Sequence, residues 1–156
     1  MKRLFLIIIT IISLFILGGT SALADAIVPT PSIVGNYTTN YGGRQLIGNK
    51  RWIMKYKGQH PFIFTYTSVD NPSQTIIAEN TYDEGDGFDY TGKFSQFNWT
   101  YDDSDDLWYC QQVYDADTAE DAAAQPSADS SDPANGGCGI PTNNFPWSQL
   151  IPVSNS

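Results

Sequence analysis

The sequence is short of the residues that most enzymes use for nucleophilic or metal chemistry. It has one histidine and two cysteines in 156 residues. The histidine, His60, stands directly before Pro61. It could act as a general base or a metal ligand. The favoured reading is a residue leading out of the Lys57–Gly58–Gln59 turn into a strand. A serine triad would need this histidine, and no Gly-x-Ser-x-Gly elbow accompanies it. Two thiols are too few for a structural zinc site, and no second histidine completes one. There is no Cys-x-x-Cys redox pair. Nothing in this inventory asks for a cofactor.

Positive charge is also scarce: 8 Lys and Arg stand against 17 Asp and Glu, for a formal net charge of −9. Most of the surface should therefore repel nucleic acid and anionic membranes. The sequence shows no internal repeat, no coiled-coil heptad and no spaced acids of the EF-hand kind. The apolar run from Leu4 to Leu17 is too short to span a bilayer, which needs roughly 20 residues.

The first 24 residues have the form of a secretory signal peptide. Lys2 and Arg3 are a positive start, Leu4 to Leu17 is an apolar run, and Ala22–Leu23–Ala24 supplies small residues for cleavage. The chain is expected to be exported to the periplasm or medium, with no stable membrane insertion after cleavage. Removal of Lys2 and Arg3 makes it more acidic still. Residues 25–32, with Pro29 and Pro31, read as a flexible leader. Residues 33–150 read as one β domain and 151–156 as a disordered tail.

Period-two alternation dominates residues 33–114. It is clear in Trp52–Met54–Tyr56, Phe62–Phe64–Tyr66, Phe97–Trp99–Tyr101 and Leu107–Tyr109–Gln111–Val113. Such alternation predicts half-buried antiparallel strands. Six or seven are expected, near 33–40, 43–48, 51–57, 61–68, 74–81, 92–101 and 106–114. The turns between them are short, which predicts an up-and-down meander closing into a small barrel or curled sheet. Asp117–Thr118–Ala119–Glu120 fits a capping box and predicts one short helix near 118–125, ended by Pro126. Residues 127–144 read as loop. The apolar Phe145–Pro146–Trp147 and Leu150 are expected to return to the core or cover a sheet edge. An even cysteine count in an exported chain predicts a Cys110–Cys138 disulfide tethering that loop.

Candidate binding residues are few. Arg51, Lys55 and Lys57 share the face of their strand opposite Trp52, Met54 and Tyr56. They could attract an anion, such as an envelope component. The favoured alternative sets them against the acidic half of the same fold. Glu79 shares a face with Ile77 and Thr75, as the solvent side of an edge strand or as a pocket group. Calcium could be held by Asp83–Asp89 or Asp102–Asp106; ordinary acidic turns are the favoured reading of both, and of Asp129–Asp132. The chain also has 4 Trp, 9 Tyr and 8 Phe. These rings suit a small β core, and equally a groove for a sugar or small apolar ligand.

Several motifs occur in order: Phe97–Asn98–Trp99–Thr100, Leu107–Trp108–Tyr109–Cys110–Gln111, Tyr114–Asp115–Ala116–Asp117–Thr118–Ala119–Glu120, Gly136–Gly137–Cys138–Gly139 and Phe145–Pro146–Trp147–Ser148. Together they resemble a family of small exported proteins of unknown function from Gram-negative bacteria. The resemblance implies export and a disulfide, and carries no functional residue across. Gly35–Asn36–Tyr37 bears a looser likeness to lipocalin-type barrels, which open on Gly-x-Trp; it implies a ligand-holding meander. The expected function is a monomeric exported binding or interaction module, with a small ligand or envelope component as partner. A small carboxylate-based hydrolase, supported by calcium, is the alternative.

Overall fold

The computed structural model describes residues 27–82, 84–85, 88–142 and 144–154. The expected signal peptide, the first two leader residues, Asp83, Asp86 and Gly87 lie outside them, as does the very end of the expected tail. The described residues form ten strands and one helix, in order β1 Gly35–Thr39, β2 Arg44–Ile47, β3 Arg51–Lys55, β4 Phe62–Asp70, β5 Thr75–Tyr82, β6 Glu84–Gly85, β7 Phe88–Asp89, β8 Phe94–Tyr101, β9 Leu107–Ala116, α1 Ala119–Ala123 and β10 Ser148–Pro152. Eight of the strands form a closed antiparallel barrel in which each pairs with the next along the chain. The short β6–β7 hairpin stands apart from it.

Closure comes from a strand in the segment expected as an apolar tail. Tyr37 registers with Pro152 and Thr39 with Leu150, so β10 joins β1 to β9. Ile151 and Pro152, expected as disordered, belong to this strand. The barrel thus has eight strands against the six or seven expected.

Alternation fills the barrel with rings. Trp52 stacks on Phe97 at a centroid distance of 4.9 Å, and Phe64 meets Phe97 edge-on at 4.9 Å. Tyr109 lies tilted against Trp52 at 5.0 Å. The indole N–H of Trp52 donates to Gln45 Oε1 at 2.8 Å, so its one polar atom is satisfied inside the core.

One end of the barrel is closed by the segment that leads into β1. Pro31 and Ile33 are buried there. Asn71, in the β4–β5 turn, accepts from Ser32 N at 2.7 Å and donates to Thr30 O at 3.0 Å. The Tyr37 hydroxyl donates to Ile33 O at 3.0 Å. Its ring lies so close over Gly35 that a Cβ there would stand 2.6 Å from it, which is why the strand opens on glycine. Part of the expected flexible leader is therefore fastened over the barrel end.

Outside the barrel a second small core forms. Trp108, Cys110, Ala128, Cys138 and Trp147 pack together under the 124–147 loop. The Cys110–Cys138 disulfide joins residues whose Cα atoms are 5.6 Å apart. Trp108 belongs to this outer core, while Trp52 and Trp99 belong to the barrel core. This cover explains why β8 and β9 are buried on both faces. Helix α1 docks through Gln96 Nε2, which donates to Ala122 O at 3.1 Å and to Gln125 O at 3.1 Å. Its cap is Thr118, one residue later than the expected Asp117: Thr118 Oγ1 accepts from Asp121 N at 3.0 Å. The helix is shorter than the expected 118–125, because nothing continues its buried stripe past Ala122.

Candidate functional site

The described residues leave the other end of the barrel open. Strands β3, β5 and β9 run toward it, and β4, β8 and β10 start from it. A cup of about 290 Å³ lies inside this mouth. Met54 and Phe64, both buried, form its floor. Tyr56, Phe62, Tyr90 and Tyr114 form its walls, with Gln59 and Gln111 as the polar groups.

Local geometry sets each wall residue. Tyr56 follows β3 directly, and its ring packs on the Gly43 backbone, where a Cβ would come within 2.6 Å. Phe62, at the start of β4, meets Tyr56 edge-on at 6.3 Å. Tyr90 sits in a turn fastened to β5: Gly92 N donates to Asn80 O and Asn80 N to Lys93 O, both at 2.8 Å. Within that turn Thr91 N donates to Asp89 Oδ1 at 2.9 Å, a bond that holds the Asp89 carboxyl below its ordinary range. Tyr114 meets Tyr90 edge-on at 5.1 Å.

Tyr114 reaches the cup through irregularity in β9. Its register against β8 slips twice: Phe97 pairs with Gln111, Gln96 with Val113, and Phe94 with Ala116. Strict alternation from Tyr109 would turn residue 114 outward. The bulges re-aim it to the mouth, a common use of bulges beside sites. The first extra residue, Gln112, faces the tethered loop and accepts from Gly139 N at 2.8 Å. The bulge that shapes the cup is thus held from outside by the disulfide loop.

Beneath Gln111 lies a buried polar chain. Gln111 Nε2 donates to Ser95 Oγ at 3.0 Å, Ser95 Oγ to Asn80 Oδ1 at 2.6 Å, and Asn80 Nδ2 to Tyr114 O at 2.8 Å. Asn80 and Ser95 are both fully buried. Farther in, burial first and then the neighbouring Tyr56 push the Tyr109 phenol well above its ordinary range.

The residues singled out from the sequence are elsewhere. Arg51 and Lys55 are exposed on the outer face of β3, with Ile53 between them. Lys57 is exposed in the turn beyond the strand, which ends at Lys55 and not at 57. The expected neutralisation of this row by the chain's own acids is not found. Among the described residues the ion pair is Lys93 with Asp117, and none of Arg44, Lys50, Arg51, Lys55 and Lys57 is paired. The reason is topological: β3 lies between β2 and β4, and Arg44 of β2 registers directly against Lys55. Glu79 is exposed on the outer face of β5, an interior strand between β4 and β8 and not an edge. His60 is exposed in the β3–β4 connection.

The described acidic turns have structural partners. Asp102 Oδ1 accepts from Ser104 N at 2.8 Å and Asp106 N at 3.0 Å, and its Oδ2 from Trp108 Nε1 at 3.0 Å. Partial desolvation opposes ionisation there, yet these three bonds hold the carboxyl below its ordinary range. Asp129 accepts from Ser131 N, and Asp132 from Asn135. Among the described residues no cluster of three His, Cys, Asp or Glu could hold a metal ion.

The aromatic content is compatible with a groove but does not by itself locate the cup. The available signal was polarity at inward positions. Asn80 follows Ile76 and Ala78 on the inner face, and Gln111 follows Tyr109. No protein-family model matches the chain, and neither curated proteins nor solved structures give a match.

Proposed function

We propose that this chain is an exported binding protein that seats one small ring-bearing molecule in the open mouth of its barrel. One observation carries the reading. The closed half of the barrel is filled by its own rings, while the open half leaves a cup of about 290 Å³ walled by four aromatic side chains. That volume is near the lower end of the range for ligand pockets, about 300–1,000 Å³, and suits one or two rings. Aromatic walls favour stacking and edge-on contacts with a ring over a flexible chain.

The barrel suits an aqueous compartment. Its inside is apolar, and its outer face carries Arg44, Arg51, Lys55 and Glu79. A transmembrane barrel needs the reverse, an apolar band outside. Export follows from the signal-peptide pattern and fits the disulfide. The hydrolase alternative draws no support from the cup, whose described lining holds no acid.

The experiment is native mass spectrometry of the protein recovered without denaturation from the cells that export it. Wild type should carry one small-molecule adduct that Tyr114→Ala lacks. An adduct kept in full by the variant would place the ligand elsewhere.

A further inference from the structure

This inference rests on the cup as a ligand site and concerns which ligands it accepts. It starts at the carbonyl oxygen of Tyr114, which can only accept a hydrogen bond. Asn80 Nδ2 donates to it at 2.8 Å, which fixes the Asn80 amide and turns Oδ1 toward Ser95. That oxygen also can only accept, so Ser95 Oγ gives it its single hydrogen, at 2.6 Å. Ser95 is left with lone pairs alone. Gln111 must therefore meet it with Nε2, at 3.0 Å. Each step follows from the one before, and the first is anchored on backbone.

The consequence falls on Gln111 Oε1. It has no protein partner among the described residues, and its side chain lines the cup. Because Asn80 and Ser95 are fully buried, water cannot replace either of them and let the amide turn over. The cup thus offers a fixed acceptor among aromatic rings. We propose that its ligand is an uncharged ring compound bearing a hydroxyl or N–H that donates to Gln111 Oε1. A ring carrying only ether or ketone oxygens has no hydrogen to give Gln111 Oε1 and would leave that acceptor unpaired and removed from water. A carboxylate would fare worse, because the described lining has no charged side chain to meet it.

The test uses p-cresol and its methyl ether, 4-methylanisole, which differ by one methyl group and the hydroxyl hydrogen, titrated into the full chain. Binding is followed at the ring resonances of Tyr56, Tyr90 and Tyr114. The cresol should bind about tenfold more tightly than the ether, the effect of one added hydrogen bond and one acceptor not left unpaired. In Gln111→Leu the two probes should bind alike. Ser95→Ala keeps the acceptor but frees the amide to turn, so the preference should shrink there too; this small change guards against misfolding of the leucine variant. Equal affinities in wild type, or a preference that persists in both variants, would overturn the donor requirement and leave the cup standing. No response of these tyrosines to either probe would overturn the cup along with it.

Discussion

The two ends of this barrel are made from the same alternating strands and do opposite things. At the closed end the inward side chains meet one another, and the 27–34 segment fastens over them through Asn71 and Tyr37. At the open end the inward positions carry rings that touch in pairs at the rim and leave a space between the pairs. The contrast shows that alternation decides which side chains point inward but not whether they fill the space. Filling depends on depth along the barrel axis and on what covers the end. Stability should therefore concentrate at one end and ligand binding at the other.

The largest separation should come from paired truncations. Trp52→Ala empties the packed half and should cost about 3–5 kcal/mol. Tyr114, 47% exposed, sits at the rim, and Tyr114→Ala should cost under about 1 kcal/mol while abolishing ring binding. Urea denaturation of both variants, with cresol titration of the second, checks this. Comparable stability losses in the two would erase the contrast.

The disulfide links the outer cover to the open end. Its loop closes over a sequence separation of 28, and the chain-entropy relation gives about 3.5 kcal/mol lost on reduction or in Cys110→Ser. Proteolysis should then concentrate between Ala116 and Trp147 while the strands persist. Ring affinity should also fall, because Gly139 no longer steadies the Gln112 bulge. A cup with unchanged affinity after reduction would separate the two features.

Alkaline pH probes the buried core. Tyr66 and Tyr109 both hold their protons above the ordinary tyrosine range, chiefly because of burial. Above about pH 10 the unfolded chain releases these protons and the fold does not, so stability falls as pH rises. Each tyrosine should add about 1.4 kcal/mol per pH unit to that slope. Chemical denaturation from pH 9 to 11 measures it, and Tyr66→Phe should remove one tyrosine's share.

The smallest effect concerns the outer face of β3. Lys55 faces Arg44 across the strands, and Lys55→Glu should stabilise the fold by about 0.5 kcal/mol at low salt. The gain should fade as salt rises. A loss instead would mean that the cations have a partner on this face.

Much of the frame could be read from residue order. The alternating triplets from Trp52 to Val113 set the strands and the meander, and the cysteine pair is the disulfide. The eighth strand was hidden because Ser148–Pro152 has only Leu150 buried, ends in proline, and takes its order from pairing with β1 and β9. The cationic row was legible as a surface, but its lack of acidic neighbours was not, since strand order decides which residues meet. The cup was obscured in two ways. Tyr56 and Phe62 alternate just as Trp52 and Phe64 do, although one pair lies at the rim and the other inside. Tyr114 reaches the mouth only through bulges that break the period on which the reading relied.

Where a ring compound lands is the most direct test of this division. Tyrosine rings report on both ends: Tyr56, Tyr90 and Tyr114 line the cup, while Tyr37 and Tyr66 belong to the packed core. Titration of the tyrosine-labelled protein with p-cresol should move the first three, saturably and with one-to-one stoichiometry, and leave Tyr37 and Tyr66 in place. Movement of Tyr37 and Tyr66 without the other three, or unsaturable drift of all five, would contradict the account.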